Sequence, residues 1–183
     1  INRKENKIER FLEGNPAYSL LMDPIYQDTL WVGIEGAGLI KLNVNTGGHI
    51  VYHPLLKQHP ILGSTIYKML VDSNIIWAGT EFGLNKYNIL TGENQLFSYN
   101  PEDTNGIIFG EIKDILKDDH GRIWIASDKS GIAVFDKEKN EFTYYISKAN
   151  TSGTLSSNNI KDIFQDSKGT IWIATTEGLN RFN

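Results

Sequence analysis

The side chains best suited to metal or nucleophilic chemistry are few and scattered. The four histidines are His49, His53, His59 and His120. His49 and His53 are four residues apart, but they fall in a predicted turn and strand, so the helical H-E-x-x-H zinc motif is absent. There is no cysteine, which excludes a thiolate metal site, a disulfide and a cysteine nucleophile. We therefore predict neither a metal ion nor a cofactor.

Two Asp-containing turns are the other candidates for chemistry, as calcium ligands or as an acid. Asp118-Asp119 precedes Gly121, and Asp166 precedes Gly169. In such turns a carboxylate commonly accepts backbone N–H hydrogen bonds, and we expect this structural role here. Because no G-x-S-x-G nucleophile motif occurs either, we predict no catalytic residue in this segment.

The composition argues against several other functions. Lys plus Arg number 18 and Asp plus Glu 22, a net charge of −4, which is unsuited to binding nucleic acid. No run of apolar residues is long enough to span a membrane, and no signal-peptide pattern opens the chain. A chain that starts at Ile1 is expected to be part of a longer protein.

An internal repeat centred on tryptophan predicts the strands and loops that would carry any functional site. Trp31, Trp77, Trp124 and Trp172 are 46, 47 and 48 residues apart. In the second and fourth units the surrounding phrases read IWAGTEFGLNKYN and IWIATTEGLNRFN. We place the repeats at 18–53, 66–100, 112–146 and 160–183.

Each unit reads as four short strands: an apolar strand ending at an acid, the Trp strand, a strand after a Gly-containing hairpin, and an aromatic strand. The Trp strands are almost continuously apolar, which is typical of strands covered on both faces. Sheets that pack face to face on their neighbours satisfy this pattern in a β-propeller. We predict an all-β fold: one β-propeller segment over 1–183, with four four-stranded blades of about 46 residues and the tryptophans in the core.

The strand count leaves the closure of the propeller open. The fourth unit ends after its third strand, and the segment 7–12 (KIERFL) reads as an orphan fourth strand that could pair with it. The alternatives are a closed four-blade ring, an open arc, or two arcs that meet as an eight-blade dimer. We expect a partial propeller whose open faces are covered by self-association or by neighbouring blades.

The pattern D-x-x-G-x-I-W-I-A-T-x-x-G-L-x-R-F, complete from Asp166 to Phe182, resembles the two-component regulator propeller repeat. The third unit follows it from Asp118 with Ser127 and a longer hairpin, and the first two units keep the Trp and the Gly-Leu but differ at the turn. The resemblance implies the sensory region of a hybrid two-component histidine kinase. In that family this region is the periplasmic part of an inner-membrane protein and often responds to polysaccharide fragments.

We therefore expect a non-catalytic sensor module that binds or relays a glycan-type signal such as an oligosaccharide. A glycan-active propeller enzyme, which needs two carboxylates about 5–10 Å apart in one pocket, and a protein-interaction scaffold stay open as alternatives. Ligand contacts are expected in the loops that leave one face of the propeller. The candidate residues are His53, His59, Glu81, Phe82, Phe109, Asp128, Lys129 and Glu177.

Overall fold

The computed structural model describes residues 8–58, 60–98 and 110–182, and its regular structure there consists of β-strands. In chain order the strands are β1 (Ala17–Met22), β2 (Thr29–Ile34), β3 (Gly38–Asn43), β4 (His49–Tyr52), β5 (Ile66–Asp72), β6 (Ile75–Thr80), β7 (Gly83–Asn88), β8 (Asn94–Ser98), β9 (Ile112–Lys117), β10 (Ile123–Ser127), β11 (Ile132–Asp136), β12 (Glu141–Tyr145), β13 (Ile160–Gln165), β14 (Ile171–Thr175) and β15 (Gly178–Phe182).

Each repeat forms one antiparallel sheet whose strands lie side by side in chain order. The first three sheets have four strands each, and the fourth sheet, β13-β14-β15, has three. The first strands of successive sheets are neighbours, since β1 contacts β5, β5 contacts β9 and β9 contacts β13. These first strands therefore form the inner edge of an arc of radial sheets. The predicted all-β propeller class is confirmed.

The tryptophans hold neighbouring sheets together. The first three lie on the face of their sheet that is directed toward the next sheet, where they pack on isoleucines of that sheet's first two strands. Trp31, Trp77 and Trp124 are completely buried there, as predicted. Trp172 belongs to the last sheet and is only half-buried, because no further sheet covers it.

A small residue two positions after each tryptophan lets the sheets approach. A Cβ atom on Gly33 would lie 2.9 Å from Cγ2 of Ile66, and one on Gly79 would overlap Cγ2 of Ile112. The third and fourth sheets have Ala126 and Ala174 at the same position. The spacing of the sheets is therefore set by the first strand of each following blade.

The segment predicted as a closing strand lies elsewhere. Residues 8–12 form no strand, and Leu12 packs on the outer face of the first sheet beside Ile34, Ile40 and Leu42. Residue 7 lies outside the described residues. Leu12 thus covers part of an apolar face rather than extending the fourth sheet.

The close approach of the sheets is testable at Gly79. We expect Gly79→Val to lower the free energy of unfolding by about 1–3 kcal/mol, because the added side chain displaces Ile112. The matched control is Ala174→Val, at the same position of the last sheet, where no sheet follows. Urea unfolding at submicromolar chain concentration measures both variants, and equal losses would contradict this account of the packing.

Candidate ligand-binding face

The order of the strands places two kinds of loop at the same end of the arc. Because the strands alternate in direction, the hairpins between second and third strands emerge beside the loops that lead from a fourth strand to the next first strand. We call this end the loop face and the opposite end the turn face. The predicted ligand loops that lie within the described residues are thus on one face.

Three side chains at the inner edge of the loop face are presented by β-bulges. The pairing of each first strand with its second strand shifts register near its start. The unpaired residues of the first three sheets are Tyr18, Tyr67 and Lys113, and the fourth sheet has Lys161 at this position. A bulge re-aims the side chain of the extra residue and is common beside binding sites. The same irregularity in successive blades therefore brings these three side chains together.

The three bulged side chains and two acids form one cluster. We call it the inner cluster, and its members are Tyr18, Glu35, Tyr67, Glu111 and Lys113. The Tyr18 and Tyr67 rings are 5.5 Å apart between centroids, and the Tyr18 hydroxyl donates to Oε2 of Glu35 at 2.7 Å. Nζ of Lys113 lies 4.5 Å from the centroid of the Tyr67 ring and pairs with Glu111. The cluster thus combines aromatic surface with carboxylates and an ammonium group.

The charges of the inner cluster stabilise one another. The hydrogen bond from Lys113 holds the pKa of Glu111 below its usual value, although burial acts in the opposite direction. Burial, together with the nearby charge of Glu111, raises the pKa of Tyr67 to about 12. The hydrogen bond to Glu35 raises the pKa of Tyr18. At neutral pH both tyrosines therefore carry hydroxyl groups, and Glu111 is ionised.

Two of the sequence-predicted ligand residues instead fasten loops. Oε1 of Glu81 accepts from the backbone N–H and hydroxyl of Ser64 at 2.7 and 2.9 Å, and Oε2 accepts from the N–H of Thr65 at 3.0 Å. Oδ1 of Asp128 accepts from the backbone N–H of Glu111 at 2.9 Å. Both acids hold the start of a first strand against the neighbouring hairpin.

Among the other predicted residues, Lys129 acts on the inner cluster through its charge, which helps to lower the pKa of Glu111. Phe82 is exposed, and Lys129 is half-exposed with Nζ 4.0 Å from Oδ2 of Asp128. Nδ1 of His53 accepts from the N–H of Leu55 at 3.2 Å. His59 and Phe109 lie outside the described residues.

Glu177 lines an open groove of about 700 Å³ together with residues 147–158. This loop is rich in hydroxyl and amide groups, and several of them already bond within it: the Thr154 hydroxyl donates to the carbonyl of Thr151 at 2.9 Å. Glu177 is the only carboxylate that lines this groove within the described part of the chain. The groove is polar and offers no pair of acids.

The turn face carries a second recurring arrangement, in which an aspartate binds an indole. Oδ2 of Asp118 accepts from Nε1 of Trp124 at 2.8 Å, while Oδ1 accepts from the backbone N–H groups of His120 and Arg122. Asp166 binds Trp172 in the same way, at 2.9 Å. The predicted role of these aspartates as backbone acceptors is confirmed. The indole bond was missed, although the constant spacing of Asp and Trp in the third and fourth units signals it.

The second sheet departs from this arrangement. Its turn has only two residues between Asp72 and Ile75, and Nε1 of Trp77 is buried without a hydrogen-bond partner. Asp72 instead accepts from Nζ of Lys117 at 2.6 Å and of Lys137 at 2.5 Å, both in the next repeat. Burial alone would raise the pKa of Asp72, but these two lysines outweigh it and lower the pKa.

A pair of acids lies on neighbouring first strands. Asp114 is buried, and its oxygens accept from the N–H groups of Ile115 and Ile163 at 2.9 and 3.0 Å and from Nζ of Lys68 at 2.7 Å. The hydrogen-bonded side chain of Asp114 raises the pKa of Asp162. These contacts fasten the third sheet to the second and fourth sheets.

Comparison with known proteins agrees with a propeller of signalling type. The family described as "Two component regulator propeller" matches residues 106–129 and 154–177. The two matches fall on the third and fourth repeats, whose motifs carry the resemblance. Among curated proteins, none matches this chain.

Solved structures give the same fold. The extracellular domain of BT4673, named as a hybrid two component system of B. thetaiotaomicron, superposes with a TM-score of 0.73 at 22% identity, covering 93% of this chain and 22% of that one. The corresponding domain of BT3049 from the same organism gives 0.68 at 24%, covering 94% and 29%. The WD40 propeller domain of Doa1 gives 0.63 at 11%, covering 90% and 49%. This chain therefore spans less than a third of the two signalling domains.

The described residues include no helix that could cross a membrane. They also include no group of three or more His, Asp or Glu side chains placed to hold a metal ion.

The indole–carboxylate bond is testable at Asp118. We expect Asp118→Ala to lower the free energy of unfolding by about 1–3 kcal/mol, because it leaves the buried N–H of Trp124 without an acceptor. Asp119→Ala is the control, since Asp119 is the exposed neighbour of Asp118 in the same turn, whereas Trp124 binds Asp118. We expect a loss within about 0.5 kcal/mol there, and a similar loss in both variants would contradict the assignment.

The pH dependence of stability gives a second readout for the same variant. Burial would raise the pKa of Asp118, but the hydrogen bonds from Trp124 and Arg122 outweigh it and hold the pKa below its ordinary value of 3.8. The ionised carboxylate therefore stabilises the fold above about pH 4, and this contribution is lost as the pH falls through the lowered pKa. Urea unfolding from pH 6 to pH 2 should show a smaller acid loss for Asp118→Ala than for the unmodified chain.

Proposed function

We propose that this chain is a non-catalytic, extracytoplasmic sensor module of a two-component signalling protein, and that a glycan-type ligand binds at its inner cluster. The observation that carries the proposal is the presentation of Tyr18, Tyr67 and Lys113 by bulges in three successive blades. The fourth sheet has the same bulge at Lys161, so the bulge belongs to the repeated scaffold, and the residue types at it in the first three sheets make the cluster.

The class of module is supported by the repeat and by its neighbours. The matched family is a two-component regulator propeller, and both signalling neighbours are named as extracellular domains of hybrid two component systems. A parent histidine kinase in the inner membrane, with this segment in the periplasm, is part of the proposal. A ligand at the inner edge would signal by favouring one arrangement of the blades or domains over another, which requires unequal affinity for the two.

The chemistry of the inner cluster suits a hydroxylated ring. A half-exposed aromatic ring offers an apolar surface, and a tyrosine keeps a polar group at its end. Sugar hydroxyls both donate and accept hydrogen bonds, so the carboxylates of Glu35 and Glu111 would accept from them while Lys113 would donate. Sites for small ligands usually combine aromatic surface with a small number of polar groups that point toward the ligand.

The same groups are poorly suited to glycoside hydrolysis. A general acid needs a proton at working pH, whereas Lys113 keeps Glu111 ionised. Asp114 is buried and accepts from the N–H groups of Ile115 and Ile163 and from Nζ of Lys68, so its carboxylate is occupied by structural contacts. Binding without catalysis is therefore the better-supported function.

Several residues predicted from the sequence keep a place in the proposal as outer contacts. Phe82, Lys129 and Glu177 are on the loop face and would meet a ligand longer than the inner cluster. Glu81 and Asp128 act indirectly by fixing the loops beside it.

Calorimetric titration of the 183-residue chain against a panel of neutral and acidic oligosaccharides tests the proposal. We expect one class to bind and Tyr18→Ala to weaken that binding about tenfold or more, which corresponds to about 1.4 kcal/mol. Lys113→Ala should weaken the binding of acidic glycans more than the binding of neutral ones, because it removes the ammonium group.

Phe82→Ala provides the control, as an exposed aromatic ring on the same face but outside the cluster. An equal loss in Phe82→Ala and Tyr18→Ala would place the ligand elsewhere on the loop face. Failure of every glycan to bind would count against direct sensing and favour a scaffold that binds protein.

A further inference from the structure

Two buried hydroxyl groups join the first sheet to the second beside the inner cluster. The hydroxyl of Thr65 accepts from the backbone N–H of Gly36 at 3.2 Å, and the hydroxyl of Ser19 accepts from the N–H of Met69 at 2.9 Å. Thr65 and Ser19 are each 8% exposed. Because a buried N–H group that loses its acceptor is costly, these bonds hold the two sheets at a defined spacing.

The two bonds lie on either side of the aromatic pair. In the second sheet Tyr67 is midway in sequence between Thr65 and Met69. In the first sheet Tyr18 directly precedes Ser19, and its hydroxyl donates at 2.7 Å to Glu35, the residue before the donor Gly36. The contact between the two tyrosine rings, 5.5 Å between centroids, is therefore held from both sides.

The segment that carries Thr65 is itself fixed to both neighbouring hairpins. Glu81, in the hairpin of the second sheet, accepts from the N–H groups of Ser64 and Thr65 at 2.7 and 3.0 Å. The N–H of Gly38, in the hairpin of the first sheet, donates to the carbonyl of Ser64 at 2.7 Å. The Thr65 hydroxyl therefore meets Gly36 from a rigid position.

The second and third sheets have other residues at the position of Ser19. Lys68 takes this position in the second sheet, and its ammonium group is a donor that cannot accept a hydrogen bond. Asp114 takes it in the third sheet and accepts from the N–H of Ile163 at 3.0 Å. The bond that Ser19 makes therefore recurs between the third and fourth sheets, whereas Lys68 cannot make it.

The position of Thr65, directly before the first strand of its sheet, also varies. Glu111 takes it before β9, where its carboxylate pairs with Lys113. Asn159 takes it before β13, and its Oδ1 atom is buried without a hydrogen-bond partner. Within the described residues, both bonds therefore occur together at the one boundary where two aromatic bulge residues meet.

We propose that Thr65 and Ser19 are positioning residues of the ligand site, whose hydroxyl groups hold Tyr18 and Tyr67 as a preformed aromatic pair for a sugar ring. This inference rests on the proposed function, because positioning matters only if a ligand lies on the two rings. Side chains that are fixed before binding lose less conformational freedom when the ligand arrives, which strengthens binding. Thr65 and Ser19 act through the tyrosines and do not contact the ligand.

Fluorine NMR of the 183-residue chain labelled with 3-fluorotyrosine tests the positioning without a ligand. The signals of Tyr18 and Tyr67 are assigned by replacing each tyrosine with phenylalanine. We expect Thr65→Val, which keeps the shape of the side chain but removes the acceptor, to shift or broaden both signals. Thr65→Ser keeps the hydroxyl and should restore them, and Ser19→Ala should move the same two signals.

Thr29→Val is the matched control for these spectra. Thr29 is as deeply buried as Thr65, at 6% exposed, but it begins β2 at the turn face. We expect its substitution to leave the signals of Tyr18 and Tyr67 unchanged. Signals that stay unchanged in both Thr65→Val and Ser19→Ala, or that move equally in Thr29→Val, would overturn the proposal.

Calorimetry with an oligosaccharide that binds the unmodified chain separates this inference from the proposed function. We expect Thr65→Val to weaken that binding about tenfold, and Thr65→Ser and Thr29→Val to bind like the unmodified chain. Full affinity of Thr65→Val would overturn the positioning role while the proposed function stands. If no oligosaccharide binds any chain, the proposed function fails, and the fluorine signals decide by themselves whether the two hydroxyl groups fix the tyrosine pair.

Discussion

The structure depends on one packing constraint: a large indole on one face of each sheet must be covered by the next sheet. Trp31, Trp77 and Trp124 become buried only because isoleucines of the following blade pack on them. The same constraint requires glycine or alanine two residues later, where the next first strand passes. It also explains why Trp172, with no following sheet, is the tryptophan that reaches solvent.

The hydrogen bonds of the turn aspartates are a consequence of this packing, because burying an indole also buries its N–H group. A buried indole N–H needs an acceptor, and the turn aspartate supplies it in the first, third and fourth sheets, at 2.8 Å in the first. In the second sheet the shorter turn does not bring Asp72 to Trp77, and the carboxylate binds two lysines of the next repeat instead. The aspartate at the turn position therefore stabilises its own sheet in the first, third and fourth repeats. In the second repeat it stabilises the contact with the next repeat.

The candidate site forms where the first strands of neighbouring sheets meet at the inner edge of the arc. A bulge near the start of each first strand frees one side chain, and the radial arrangement brings those of neighbouring blades within contact distance. The repeats differ at this position, with Tyr18, Tyr67, Lys113 and Lys161 in the four sheets. The scaffold is therefore repetitive while the surface at its inner edge is not, which is the condition for a specific ligand on a repeated fold.

The sequence by itself determined the repeat, the strand-rich class and the burial of the tryptophans, because these depend on periodicity and side-chain type within one unit. It also indicated the backbone role of Asp118 and Asp166, since both partners lie within a few residues. It did not predict the inner cluster, whose first and last members, Tyr18 and Lys113, are 95 residues apart and meet only through bulges that periodicity conceals. Nor did it reveal that Glu81 and Asp128 bind backbone groups, or that residues 8–12 lie on the first sheet. Those outcomes depend on which surfaces face each other, and only the tertiary arrangement of the blades decides that.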